Sequence, residues 1–126
     1  MKYRTRKMVA AKDLNSNGQL FGGRVLSWID EEAFIFVVCQ LDTASVVTAS
    51  ISEVYFVASA RRGDLVEIGT EVVEIGRSSI TVRCEVRNRE TQQTITKVER
   101  IVFVHVDENC KPVPHGIAKP CRLEAG

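Results

Sequence analysis

A chain of 126 residues, 44% of them hydrophobic and 26% charged, fits one domain, residues 1–126, with a core of its own. Its 17 basic and 16 acidic residues leave a formal net charge of +1, which argues against nucleic acid or an anionic membrane as the principal partner. No apolar run approaches the roughly 20 residues that cross a bilayer, and the charged start of the chain lacks the apolar stretch of a secretion signal, so a cytoplasmic protein is expected.

In chain order, a first strand is expected over residues 2–9. Lys2, Arg4, Arg6, Lys7 and Lys12 all precede the first acid, Asp13, and read either as a solvated strand or as help in holding a phosphorylated ligand. Residues 10–21 form a loop rich in Asn, Gly and Asp. A helix follows over residues 22–41. Its second half, 33–39, is apolar on every side, which marks a helix enclosed by protein. Gly22 and Gly23 stand at its first turn, where backbone N–H groups are free to meet a negative oxygen. Asp30 lies about two turns past Gly23 on nearly the same face. Leu26, Ala33 and Val37 share that face while Glu31 and Glu32 point elsewhere, and a carboxylate in an apolar stripe is costly unless paired or functional. Amide donors and a carboxylate on one face suit polarising a carbonyl and attacking it. The plain alternative for the glycines is a tight turn from loop to helix.

Asp42-Thr43 ends the helix, and the period changes. Residues 46–57, rich in Val, Ile and Thr, read as one strand, and Arg61-Arg62-Gly63-Asp64 as a turn. Over residues 65–76, Val66, Ile68, Thr70 and Val72 fall on one face and Glu67 and Glu71 on the other. Ile80, Val82, Cys84 and Val86 alternate with Thr81, Arg83, Glu85 and Arg87 in the next strand, after the turn Gly76-Arg77-Ser78-Ser79, and both strands read as half-buried, with the charged face toward solvent. A last strand covers residues 94–106, and residues 107–126, with all three prolines, read as an extended tail. Among the four cysteines there is no C-x-x-C and no nearby histidine pair, so no metal site is expected. Cys39 and Cys84 read as buried thiols, while Cys110 and Cys121 lie in the polar tail and could pair. His105 and His115, without a partnered Ser or Cys, read as structural.

Hairpin-length turns make neighbouring strands antiparallel. A flat sheet cannot bury one helix on all sides, so the sheet must curl around it. The expected class is α+β, an antiparallel sheet wrapped around one central helix: the hotdog fold.

With that order in view, the residues resemble a known family. Asn15-Ser16-Asn17-Gly18-Gln19-Leu20-Phe21-Gly22-Gly23 is similar to the N-x-N-G-x-x-F-G-G signature of the hotdog acyl-CoA thioesterases, the group of YciA-like bacterial enzymes and cytosolic acyl-CoA hydrolases. Asp30 stands where that family has an acid on the following helix. Gly63-Asp64, Gly76-Arg77-Ser78-Ser79-Ile80 and the stretch 102–114 resemble its later turns and closing strand, so the likeness spans about residues 5–115. The chain departs from the family in having Ala58-Ser59-Ala60-Arg61-Arg62 where a proline often precedes the Gly-Asp turn. Glu31-Glu32-Ala33-Phe34 replaces smaller residues after the acid. Both departures bear on substrate range more than on reaction type.

The resemblance implies hydrolysis of acyl-CoA to free CoA and a carboxylic acid, with coenzyme A as part of substrate and product and no separate cofactor. It assigns oxyanion donors to the backbone at Gly22 and Gly23 and the base or nucleophile to Asp30. Asn15, from the neighbouring subunit, stands opposite the acid. It further implies a homodimer, assembled as a trimer of dimers into a hexamer. For the CoA moiety the candidates are Arg77, Ser78 and Ser79, then Arg61 and Arg62, because an arginine fork matches phosphate. Two alternatives stand beside this reading: a hotdog hydratase, which relies on an Asp–His pair this signature lacks, and a non-catalytic CoA- or acyl-CoA-binding module.

Overall fold

In the computed structural model, which describes residues 1–118, the elements follow the expected order. They are β1 (Lys2–Met8), a 3-10 turn (Ala11–Asp13), α1 (Gly22–Leu41), β2 (Val46–Ile51), β3 (Val54–Phe56), β4 (Leu65–Ile75), β5 (Ser79–Asn88) and β6 (Thr94–His105). One antiparallel sheet runs β1-β4-β5-β6-β2, with β3 also paired to β6, and α1 packs across it. This is the hotdog fold.

Period-two alternation places Ile68, Ile80, Val82, Val86, Ile101 and Phe103 on the sheet's inner face, all buried. Val25, Ile29, Ala33, Phe36 and Val37 form the facing stripe of α1. The helix starts without a side-chain cap and stops where Asp42 turns left-handed at φ 55°. No helix among the described residues is long and apolar enough to cross a membrane.

Four expectations change. The strand expected over residues 46–57 is two strands. At the break Ser52 N–H bonds the Arg100 carbonyl, and the Ser52 hydroxyl accepts the Arg100 N–H that a ladder would otherwise use. Helix α1 is not enclosed by the described residues: Ile35 is 50% exposed, and Cys39, expected to be a buried thiol, is exposed too. The strand alternation is right about which face Glu67 takes but wrong about solvent, since the residue is only 4% exposed. Burial alone would push its carboxyl up. Hydrogen bonds from Arg87 and Gln92, the Arg87 charge and the Arg6 bond together hold it below the ordinary range.

The fourth change concerns the described part of the tail, residues 107–118, which folds back rather than extending. Asp107 Oδ1 accepts N–H bonds from Asn109 and Lys111, and Val106 bridges Pro112. His115 N–H then donates to the Arg77 carbonyl, and His115 Nε2 to the Ser79 carbonyl at 2.8 Å. The Ile117 N–H donates to Nδ1 of the same ring, which fixes that tautomer. His105 Nδ1 lies 3.1 Å from the Val113 carbonyl. Both histidines therefore strap the tail to the β4–β5 turn. Cys121 lies outside the described residues, and Cys110 is a free, exposed thiol.

The basic residues of β1 are largely spent on the fold. Arg6 meets Glu67, Arg4 lies over the Phe36 ring and Lys7 over the Trp28 ring. Trp28 thus packs toward β1, on the side of the helix away from Asp30.

Candidate active site

Two groups of residues meet at the first half of α1. The loop of residues 10–21 delivers the chain to the helix: Asn15 N–H bonds the Gln19 carbonyl, Leu20 N–H the Ala60 carbonyl and Phe21 N–H the Asp13 carbonyl. The next two residues, Gly22 and Gly23, are the first of α1, so their N–H groups have no partner within the helix. Neither glycine has a positive φ, unlike Gly18 and Gly63. The backbone here does not require glycine. What these positions lack is a side chain, and they lack it between two aromatic rings. A Cβ on Gly22 would meet Phe56 Cε1 at 3.2 Å, and one on Gly23 would meet Phe21 Cε2 at 2.9 Å. Both rings are themselves more than half exposed, at 56% and 55%.

Asp30 sits on the flank of α1 that faces β2. Its Oδ1 accepts a 3.0 Å hydrogen bond from the Thr48 hydroxyl, which aims the carboxylate along the helix flank rather than into the core. The helix rise puts Asp30 about 10 Å along the axis from Gly23, and helical side chains lean back toward the N-terminus. A carbonyl hydrogen-bonded at the glycines, with a water about 3 Å from its carbon and bonded to Asp30, fits such a span. Thr48 gave no signal in the sequence, because a threonine in a Val/Thr-rich strand is ordinary.

Asn15 is half-buried. Its Oδ1 accepts N–H bonds from Asn17 at 2.9 Å and Gln19 at 3.1 Å. The oxygen is used by the turn, which leaves the amide nitrogen as the end available to donate. Its bonds are to its own loop, and no bond joins it to Asp30 of the same chain among the described residues.

A recess of about 340 Å³ opens beside Gly22, walled by Leu20, Val25, Phe56, Ala60 and Thr96 among others. Gln19, on its rim, bridges Arg61, so Arg61 and Arg62 lie at this end of the molecule, both exposed and in no ion pair among the described residues. Arg77, Ser78 and Ser79 do not. Thr96 is opposite Val86 and Ser79 is opposite Val104, so seven residues of β5, roughly 23 Å of strand, separate that turn from the recess. Its Arg77 and Ser79 carbonyls accept from His115 of the tail and its Ser78 carbonyl from the His105 N–H of β6, while the Ser79 hydroxyl folds over Gly76. No set of three His, Cys, Asp or Glu able to hold a metal occurs among the described residues.

Beyond the carboxylate, β2 is a sheet edge. Val47 and Ile51 are exposed on it, with Phe56 and Val57 beside it. An apolar edge strand of this kind is a surface for pairing with another chain.

A family model described as the thioesterase superfamily matches residues 17–95. An uncharacterized acyl-CoA thioester hydrolase of Bacillus subtilis is 33% identical over 107 residues, which is 81% of this chain but 60% of that relative, so the chain spans well under its full length. Among solved structures, a hexameric thioesterase from Yersinia pestis superposes with TM-score 0.83 at 26% identity, covering 93% of this chain and 97% of that one. An acyl-CoA hydrolase from Staphylococcus aureus, solved with butyryl coenzyme A and coenzyme A, superposes at 0.78 and 28% identity, covering 87% and 66%. The Staphylococcus enzyme has also been solved with one aspartate and, separately, one asparagine changed to alanine, the latter with coenzyme A bound. Those two positions are as far apart in its chain as Asn15 and Asp30 are in this one.

Proposed function

The chain belongs to the thioesterase superfamily, and we propose that it hydrolyses acyl-CoA to free CoA and a carboxylic acid at a site made from Gly22, Gly23, Asp30 and Asn15. The thioester oxygen accepts hydrogen bonds from the N–H groups of Gly22 and Gly23, where the helix N-terminus also favours negative charge. Asp30, oriented by Thr48, takes a proton from water as its oxygen bonds to the carbonyl carbon. The tetrahedral species collapses, the carbon–sulfur bond breaks and the CoA thiolate leaves, taking up the proton that Asp30 holds and so restoring the carboxylate.

One observation carries this reading. The N–H groups of Gly22 and Gly23 open α1 without partners in the helix, and Asp30 stands about two turns along the same helix with its carboxylate held by Thr48. A hydratase would need an acid–histidine pair, yet both histidines are held by tail and turn carbonyls at the β4–β5 end. A pure binding module would gain nothing from a carboxylate held on the same flank. The phosphates of CoA fall to Arg61 and Arg62, beside the recess, in preference to the Arg77–Ser79 turn of the same chain. A cytoplasmic enzyme with reduced thiols agrees with the lack of a disulfide among the described residues.

The apolar β2 edge next to Asp30 supports a dimer, assembled further as a trimer of dimers, in which Asn15 of one protomer faces Asp30 of the other. Asn15→Ala and Asp30→Ala should each be nearly inactive alone. Mixed and allowed to exchange, they pair at random. Half the dimers are then mixed, each with one intact site of two, so about a quarter of wild-type activity should return. A mixture as inactive as its parts would place both residues in a single-chain site.

A further inference from the structure

We propose that Thr96 is a binding residue for the CoA arm, its hydroxyl pairing with the secondary amide nearest the sulfur. The inference rests on the acyl-CoA reading above and names a contact within it. Thr96 lies on β6 opposite Val86 and Phe56, on the face that looks toward α1. It is 1% exposed, and its Oγ1 makes no hydrogen bond with any described residue. Every neighbour along that face, Val86, Val98 and Val54, is apolar, and valine would fill the same volume without burying a hydroxyl. Buried polar groups without partners are rare and costly, so one that persists calls for a reason.

The place of this hydroxyl indicates what it meets. Thr96 is on the wall of the recess that Gly22 borders, and Arg61 stands at the rim through its bridge to Gln19. A thioester whose carbonyl rests on the Gly22–Gly23 amides, and whose phosphates reach Arg61 and Arg62, must run its connecting arm along this recess. That arm alternates amides with methylene and methyl groups. The recess matches it, with Val25, Leu20 and Ala60 for the apolar parts and, besides the exposed Ser59, the buried Thr96 hydroxyl, able both to donate and to accept, for an amide. Thr96 would therefore discriminate between thiol carriers rather than between acyl groups, since a site built to hydrogen-bond a group rejects the analogue lacking it.

The test uses three thioesters of one acyl group: the CoA ester, the N-acetylcysteamine ester, which keeps the first amide, and the S-ethyl ester, which has none. Thr96→Val should keep its melting temperature and lose about 10-fold or more in kcat/KM on the first two, chiefly through KM. The S-ethyl ester should be unaffected, and Thr96→Ser should restore the loss. Equal loss on all three esters, or none on any, would overturn the assignment. Binding of free CoA by wild type and Thr96→Val separates this inference from the reading beneath it. If wild type binds CoA but hydrolyses nothing, the hydrolase reading fails while a weaker affinity in the valine variant still upholds Thr96. Unchanged affinity overturns Thr96 alone, and a wild type that neither hydrolyses nor binds overturns both.

Discussion

Asp30→Ala is expected to lower kcat by about 10²–10⁴-fold, the usual worth of a positioned general base, while the protein melts as the wild type does. The stability half of the expectation follows from the surroundings. Asp30 is half-buried on a helix flank, and its one hydrogen bond among the described residues comes from the exposed Thr48, so deletion leaves no buried charge and no cavity. The catalytic half follows from its chemistry. Water is a poor nucleophile until something accepts its proton, and no histidine is placed to do so. Alanine and asparagine should behave alike, because neither accepts a proton. Stopped-flow and steady-state thiol release, with melting curves beside them, measure both halves. Near-normal turnover would remove Asp30 from the mechanism, and a collapsed melting temperature would make it structural.

The second large effect is expected at Gly23. A valine there should fold, since the backbone φ suits any residue and the nearest obstacle is the edge of the exposed Phe21 ring, which can swing aside. Its methyl groups would nevertheless stand over the free N–H groups of the first turn and hold a thioester oxygen away from them. Losing one such donor typically costs about 10²–10³-fold in kcat, so kcat/KM should fall by at least about 10²-fold at unchanged stability. The contrary result, full activity with lower stability, would mean that the glycines serve the turn and nothing else. The two variants differ in kind. One removes the base and spares binding, while the other crowds the oxygen's seat, so KM should rise in Gly23→Val and stay nearly constant in Asp30→Ala.

Much of the fold was legible because its signals are local. Residues 22–41 carry an apolar stripe that Asp42 ends, and the alternation over β4 and β5 gives both faces of each strand. Signals were missed where the outcome depends on a distant partner. Glu67 looked solvated because Arg87 and Arg6, which cover it, come from other strands. Ser52 looked like one more strand residue until Arg100 was placed opposite it. The helix looked enclosed because its outer face is apolar around Ile35 and Cys39, but no described residue covers that face.

The candidate site divides in the same way. Gly22, Gly23 and Asp30 announce themselves by residue type and helical spacing. Thr48 and Thr96 do not, for threonine is at home in any strand, and only the hydrogen bond of one and the missing bond of the other set them apart. The Arg77–Ser79 turn drew attention as a polar motif, yet its backbone groups are largely engaged by the tail, and Arg61 is the arginine whose neighbours line the recess.

Thiol release from a series of acyl-CoAs, acetyl to palmitoyl, followed with a thiol-reactive dye, tests the proposed activity most directly. Saturable release of CoA from at least one chain length by the wild-type protein is the predicted result, and the series gives the chain-length preference at once. No release at any length from a folded protein that still binds CoA would contradict the account and leave a binding module in its place.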